Sequence, residues 1–183
     1  TYDHRLDFDP NTDTPSGYGY LYKIEGPVAG ATRTFTYDSA GRVHTLTDSE
    51  GHTRTFDYDD LDRRTRITYP DNTFEEWTWH RLDVASYTDR EGRMTSYLHN
   101  GNRQLMVETD PEGRITQYDY CSCGAVNRLI DPNGNTTRWR YDIQGRVTQK
   151  IYPDGTEVNY DYDPHNGRLI ATTDALGQTT HCS

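Results

Sequence analysis

The sequence predicts an all-β chain: a tandem array of antiparallel β-hairpins, about 21 residues per copy, laid side by side as a continuous coiled β-strip. Three observations predict it. A short phrase, "FTYDSAGRV" at 35–43, returns almost unchanged as "WRYDIQGRV" at 139–147. Aromatic residues alternate with spacers, which places both rings on one face of a strand. Gly, Pro and Asp punctuate the chain at fixed offsets, while helical periodicity and capping boxes before apolar runs are both missing.

The repeat sets the elements in order. The second aromatic of the phrase, or its stand-in, falls at Tyr37, Tyr58, Trp79, His99, Tyr120, Tyr141 and Tyr162. The gaps are 21, 21, 20, 21, 21 and 21 residues, a register that chance does not keep. Two residues earlier stand Phe35, Phe56, Trp77, Tyr97, Tyr118, Trp139 and Tyr160. After each pair comes a hairpin loop such as "DSAGR" or "DIQGR", whose Gly41 or Gly145 suits a left-handed position. A Thr-rich, β-branched run then leads to a second turn, marked by Gly51, Asn72, Gly92, Gly113, Gly134, Gly155 and Gly177. "DPEG" (110–113), "DPNG" (131–134) and "YPDG" (152–155) fit a type I turn there, with Pro second and Gly fourth. Residues 35–183 thus hold seven copies and fourteen strands. Residues 1–34 read as an irregular, degenerate lead-in, in which Tyr2-Asp3 matches the aromatic-Asp anchor.

Composition says what kind of core this is. Leu, Ile, Val and Phe together make only 28 of 183 residues, and the net charge is −10. That combination leans toward disorder, but 15 Tyr and 3 Trp supply rigid amphipathic surface instead. The core is expected to be thin and aromatic. Net charge −10 with scattered Arg argues against nucleic acid as a partner. No stretch of 18 apolar residues is present to span a membrane as a helix. Each copy touches mainly its neighbours, so the array has two unpaired edges and an aromatic face to cover.

Aromatic-x-Tyr-Asp-x-x-Gly-Arg-Val, followed by Asp-Pro-x-Gly about nine residues on, resembles the RHS/YD-repeat family. The resemblance covers 35–183 well and 1–34 loosely. It implies large secreted or surface proteins: insecticidal toxin-complex shells, polymorphic toxins, wall-associated proteins and teneurin adhesion receptors. In these the hairpin strip spirals into a hollow shell, often around a toxic cargo, and the repeats do no chemistry. Seven copies are too few to close such a shell. The chain therefore reads either as a slice of a shell, with copies of flanking repeats beyond it, or as a strip that stacks on copies of itself. Tyr2 begins in the middle of an aromatic pair, and Cys182 occupies an aromatic slot at the other end. This favours head-to-tail polymerisation into a filament, completed by strand addition across the junction; the alternative is that the ends are cuts. Surface adhesion to carbohydrate is a third reading.

Chemistry is sparse. Cys121 and Cys123 stand where other copies carry Asp and a turn residue, too far along the lattice from His99 and His80 for a shared metal ion. Reduced turn thiols without a role are the expectation there. An intrachain bridge to Cys182, three copies away, is excluded by distance. The resemblance brings with it an aspartyl autoprotease built from two Asp-Pro-x-Gly motifs. Asp110 and Asp131, however, fall where every copy has its second turn, and turn chemistry alone accounts for them. "DPNTD" (9–13) has calcium-loop spacing, but Thr14 and Tyr20 replace the expected Gly and Glu. Asp57, Asp59, Asp60 and Asp62 read as a solvated edge. "NTT" (135–137) is a glycosylation sequon. With no catalytic triad, phosphate loop or HExxH, no enzyme and no cofactor are expected.

Overall fold

The computed structural model describes residues 2–5, 20–28 and 30–182, with side chains from residue 20 onward. Seventeen strands and no helix occur among them. The chain divides into two compact units, Thr1–Met94 and Thr95–Ser183.

In the first unit the strands are β1 (Tyr2–Arg5), β2 (Tyr20–Glu25), β3 (Thr32–Tyr37), β4 (Val43–Asp48), β5 (Thr53–Tyr58), β6 (Arg64–Thr68), β7 (Phe74–His80) and β8 (Asp83–Thr88). Each pairs antiparallel with the next. The second unit takes up β9 (Met94–His99), whose first residue lies at the boundary. It continues through β10 (Leu105–Thr109), β11 (Ile115–Tyr120), β12 (Val126–Ile130), β13 (Thr136–Tyr141), β14 (Val147–Ile151), β15 (Glu157–Tyr162), β16 (Leu169–Thr173) and β17 (Thr179–His181). Here too every strand pairs antiparallel with its successor. The fourteen repeat strands are β3–β16. The lead-in contributes a hairpin of its own, because β2 pairs with both β1 and β3.

The two faces differ in chemistry. In the first unit one face carries register pairs Phe35–Leu46, Phe56–Ile67 and Trp77–Tyr87; the last two rings sit 5.3 Å apart. The other face is rich in threonine, with Asp57, Arg66, Glu76 and Ser86 among the threonines. Thr36 and Thr45 share a hydrogen bond of 2.6 Å, and Thr47 and Thr53 one of 2.8 Å. Threonine suits this place because its β-branch packs on a pleat while its hydroxyl finds a cross-strand partner. In the second unit the aromatic face holds Tyr118–Leu129, Trp139–Lys150 and Tyr160–Thr172.

A single sheet layer has no second layer to bury against. Among the described residues only Ile67 (8% exposed) and Ala171 (5%) are buried, and no buried polar residue occurs. Cohesion therefore comes from contacts within the strip.

Candidate functional site

The recurrent element of this molecule is its hairpin end, where the repeated phrase does its structural work. In the loop 38–42 the Asp38 N–H donates to the Arg42 carbonyl (2.8 Å) and the Gly41 N–H to the Asp38 carbonyl (3.0 Å). This is a type I turn closed by a left-handed residue. The same pair of bonds recurs at 48–52, 59–63, 69–73, 89–93, 100–104, 110–114, 121–125, 131–135, 142–146, 152–156 and 174–178. Gly41, Gly51, Gly113, Gly134, Gly145, Gly155 and Gly177 hold the left-handed position with φ of 78–85°. Asp62, Asn72 and Arg103 hold it at 61–65°, a conformation that side chains adopt at a cost.

Where the first residue of the loop is Asp or Asn, it clamps the loop. The Asp142 carboxylate accepts the Gln144 and Arg146 N–H groups (2.9 and 3.0 Å), and its other oxygen takes the Arg146 guanidinium at 2.6 Å. Asp38–Arg42, Asp59–Arg63, Asp89–Arg93 and Asp110–Arg114 repeat this pairing. The backbone N–H of Arg146 leads; burial opposes it, but the Arg146 guanidinium and the Gln144 N–H add to it, and together they hold the Asp142 carboxyl below its ordinary value. At Asp59 the Arg63 guanidinium is the leading cause of the same depression. Asn100 with Gln104 builds the clamp from amides.

The arginine then reaches forward. Arg42, Arg63 and Arg146 lie over the Tyr58, Trp79 and Tyr162 rings, at 4.9, 4.9 and 4.4 Å, and Arg42 Nη1 also donates to the Asp59 carbonyl (2.8 Å). The tyrosine of each pair reaches back. Opposite it the ladder bulges, as at Thr36/Tyr37, Asp57/Tyr58 and Arg140/Tyr141. The residue before the bulge lies beyond the ladder with the following strand, so its carbonyl has no strand partner on that side. The next copy supplies one. Tyr58 donates to the Val43 carbonyl (2.9 Å), Tyr120 to Leu105 (2.8 Å), Tyr141 to Val126 (2.6 Å) and Tyr162 to Val147 (2.9 Å). Tyr37 does the same with Leu21, and the Trp79 indole with Arg64. The Tyr of Tyr-Asp is thus a clip between copies, and the Asp a clamp within one.

Sequence reasoning identified the aromatic pairs and the turn glycines by position, yet it missed the clip, the clamp and the stack. The signal was on the page: Arg recurs four residues after Asp at 42, 63, 93, 114 and 146. One expectation is overturned. Cys121 and Cys123 are joined in a disulfide across their own turn, with Cα atoms 5.1 Å apart. Two residues in one tight loop lie within bridging range, whereas the distance test ruled out only the partner three copies away. Cys182 is free and exposed. Asp110 and Asp131 are engaged in their own loops. Asp110 takes the Glu112 and Arg114 N–H groups and the Arg114 guanidinium; Asp131 takes the Asn133 and Asn135 N–H groups and the Asn135 amide. Tyr2 lies in β1, opposite Ile24; its side chain and that of His4 are not among the described side chains, and residues 9–13 lie outside the described residues. No group of three or more metal-ligating side chains occurs among the described residues, and no described helix is long and apolar enough to cross a membrane.

Fold and lattice together define a YD-repeat strip. The teneurin YD-shell family model matches residues 24–181, and the chain belongs to that family. No curated protein sequence matches it. Among solved structures, the Photorhabdus luminescens Tc holotoxin pore with a TccC3-D651A mutation superposes with a TM-score of 0.65 at 15% identity, over 98% of this chain and 12% of that one. A TcdB2-TccC3 crystal structure without its hypervariable C-terminal region gives 0.58 at 14%, over 87% and 11%. TcdB2-TccC3-TEV gives 0.57 at 15%, over 92% and 12%. The shared property is the fold, and this chain spans about an eighth of those chains.

Proposed function

We propose that this chain is a non-enzymatic wall segment of an extracellular YD-repeat shell, a strip that with further repeats encloses a cargo. The observation that carries the reading is the single layer with almost no buried residue. All of its specific bonding runs along the strip, from clamp to stack to clip, and none of it closes a compact core. Such a sheet serves as a surface dividing an inside from an outside. Membership of a YD-shell family and a fold shared with chains about eight times longer support the same reading.

Head-to-tail stacking into a filament is the second reading. It is favoured by β17, which among the described residues pairs with β16 alone and whose residues are all exposed. A strand carrying the repeated phrase fits on that edge, from the same polypeptide in a shell or from a second copy in a filament. Electron microscopy of the native protein, with and without reductant, separates the two. Hollow particles support the shell, and fibres that shorten under reductant support a junction through Cys182. Compact solid particles would refute both.

A further inference from the structure

The loop 121–125 holds the one disulfide among the described residues, Cys121–Cys123, and the other loops show what its backbone is built to face. In the five-residue loops that begin with Asp, the third and fifth residues aim their N–H groups at the first side chain. Ala40 and Arg42 donate to Asp38 Oδ1 (3.0 and 2.9 Å), and Glu112 and Arg114 to Asp110 Oδ1 (3.0 and 2.9 Å). Convergent N–H groups of this kind make a nest for an anion. The nest acts without a cation: at Asp131 the Asn135 amide, and after it the N–H groups of Asn135 and Asn133, hold the carboxyl below its ordinary value against burial.

Loop 121–125 closes with the same pair of backbone bonds. Its third and fifth N–H groups, those of Cys123 and Ala125, therefore face the Cys121 side chain, and neither donates to another described group. A sulfur occupies the nest in place of a carboxylate. The two sulfurs differ in access, because Cys123 is exposed and Cys121 half-buried. The bridge spans only three residues, so it removes little freedom from the unfolded chain. The turn also rests on its own hydrogen bonds and on Gln104, which donates to the Gly124 carbonyl at 3.0 Å. An exposed disulfide of this kind is an exchangeable one. Beside it, against loop 100–104, lies a cavity of about 390 Å³, lined in part by Asn100, Asn102, Gln104, Met106, Cys121 and Ser122. The side-chain amides match the N–H and C=O groups of a peptide, and Met106, 39% exposed, offers an apolar contact.

We propose that Cys121–Cys123 is a thiol–disulfide exchange site that captures the cysteine of a polypeptide seated in this cavity. The partner's thiolate attacks the exposed Cys123 Sγ. A bond forms between those two sulfurs as the Cys121–Cys123 bond breaks, and the electron pair stays on Cys121 Sγ as a thiolate. The N–H groups of Cys123 and Ala125 hold that charge, as they hold a carboxylate elsewhere in the strip. A better-stabilised thiolate is the faster leaving group. Cys121 then returns to Cys123, re-forms the loop bridge and frees the partner's thiolate. Capture is therefore reversible, and no outside oxidant or reductant enters it. The assignment is independent of whether the strip closes into a shell or stacks into a filament.

The test uses the full chain with Cys182→Ser, which removes the free, exposed thiol. Glutathione, a cysteine-bearing peptide, is added, the reaction is quenched with acid, and the adduct is located by mass spectrometry. Glutathione is expected on Cys123 and not on Cys121, at a rate at least tenfold above its exchange with free cystine. Mercaptoethanol, which has no peptide groups for the cavity, should show less than a third of that acceleration. Two further variants read the nest directly, each confirmed as folded by circular dichroism. With Cys123→Ser added, alkylation by iodoacetamide against pH should show Cys121 titrating at least one unit below the ordinary thiol value of about 8.5. With Cys121→Ser added, Cys123 should titrate at the ordinary value. Glutathione on Cys121 or equally on both sulfurs, a rate no greater than that of cystine, or ordinary titration of Cys121 overturns the proposal. Equal acceleration with mercaptoethanol overturns the assignment to a polypeptide partner.

Discussion

Removing one hydroxyl from the lattice isolates the clip between copies. Tyr141→Phe keeps the ring but deletes the donor that reaches the Val126 carbonyl at 2.6 Å. A typical intramolecular hydrogen bond contributes about 1 kcal/mol net. Val126 and Tyr141 are both half-buried, so water replaces the lost donor only in part, and about 1 kcal/mol is the expected loss. Because each copy touches mainly its neighbours, the loss should stay local. Amide hydrogen exchange should quicken about fivefold through β12, β13 and β14, the fold-change that about 1 kcal/mol implies. Exchange in β3–β8 should not change. Tyr141→Ala removes the ring as well and should cost about 2–4 kcal/mol, somewhat below a fully buried aromatic. If Tyr141→Phe matches the parent chain across β12–β14, the hydroxyl is not a clip. If exchange rises uniformly over both units, nearest-neighbour cohesion is the wrong description.

Three further outcomes follow from the loops. Acid should unfold the strip: the carboxyls of Asp59, Asp89, Asp131 and Asp142 are held below the ordinary 3.8 by loop N–H groups and their arginine or asparagine partners. Their stabilisation is complete above pH 3.8 and is lost as pH falls through the lower folded values, so circular-dichroism melts should be level down to about pH 5 and fall steeply below 4. Gly145→Ala, at φ 81°, should destabilise by about 1–2 kcal/mol, whereas Arg103→Gly, at φ 65°, should stabilise by about 1 kcal/mol in urea unfolding. The loop 163–168 is one residue longer than its fellows, and Arg146 Nη1, buried beside Gly167, has no hydrogen-bond partner. Deleting His165 restores Asp-Pro-Asn-Gly-Arg and should raise urea stability by about 1 kcal/mol as the Asp163 carbonyl comes within reach; no gain would mean that the longer loop costs nothing.

The fold was legible because a hairpin strip is encoded locally. Phe35 and Tyr37 share a face by period two, and Gly41 marks the loop by its backbone freedom; neither inference needs knowledge of distant contacts. The Tyr58–Val43 clip lies deeper. It depends on a bulge at residue 44 that shifts register by one, and nothing in "GRVHTL" announces a bulge to a reader who counts only alternation. The cavity that Arg33, Arg54 and Tyr69 line was illegible for a further reason. Arg33 and Arg54 are ordinary strand residues until the register sets them across from Asp48 and Leu46, and Arg54 meets the Tyr69 ring contributed by the next hairpin end. The lead-in concealed its hairpin because the repeat phrase is eroded in β2, where Tyr20 survives to stack on Tyr37 at 4.6 Å.

The cysteine loop shows which part of the repeat is invariant. At 121–125 the backbone bonds match those of the other five-residue loops, 2.9 Å from Cys121 N–H to the Ala125 carbonyl and 3.0 Å from Gly124 N–H to that of Cys121. Both members of the usual clamp are absent: Cys121 stands in place of Asp and Ala125 in place of Arg. A disulfide from the first to the third residue holds the loop instead, and Gln104 of the preceding hairpin end supplies a bond to the Gly124 carbonyl (3.0 Å). Ion pair, amide pair and covalent bridge are thus three chemistries for one geometric task, so the geometry is what the repeat preserves. The expected consequence is specific. Reductant should quicken exchange at 121–125 and in the flanking β11 and β12, and leave β13–β16 unchanged. The combined substitution Cys121→Asp, Cys123→Ala and Ala125→Arg should restore an Asp–Arg clamp and make those amides indifferent to reductant. If the substituted chain stays as exposed there as the reduced parent, the bridge does something the clamp cannot, and the interchange of chemistries at the hairpin end fails.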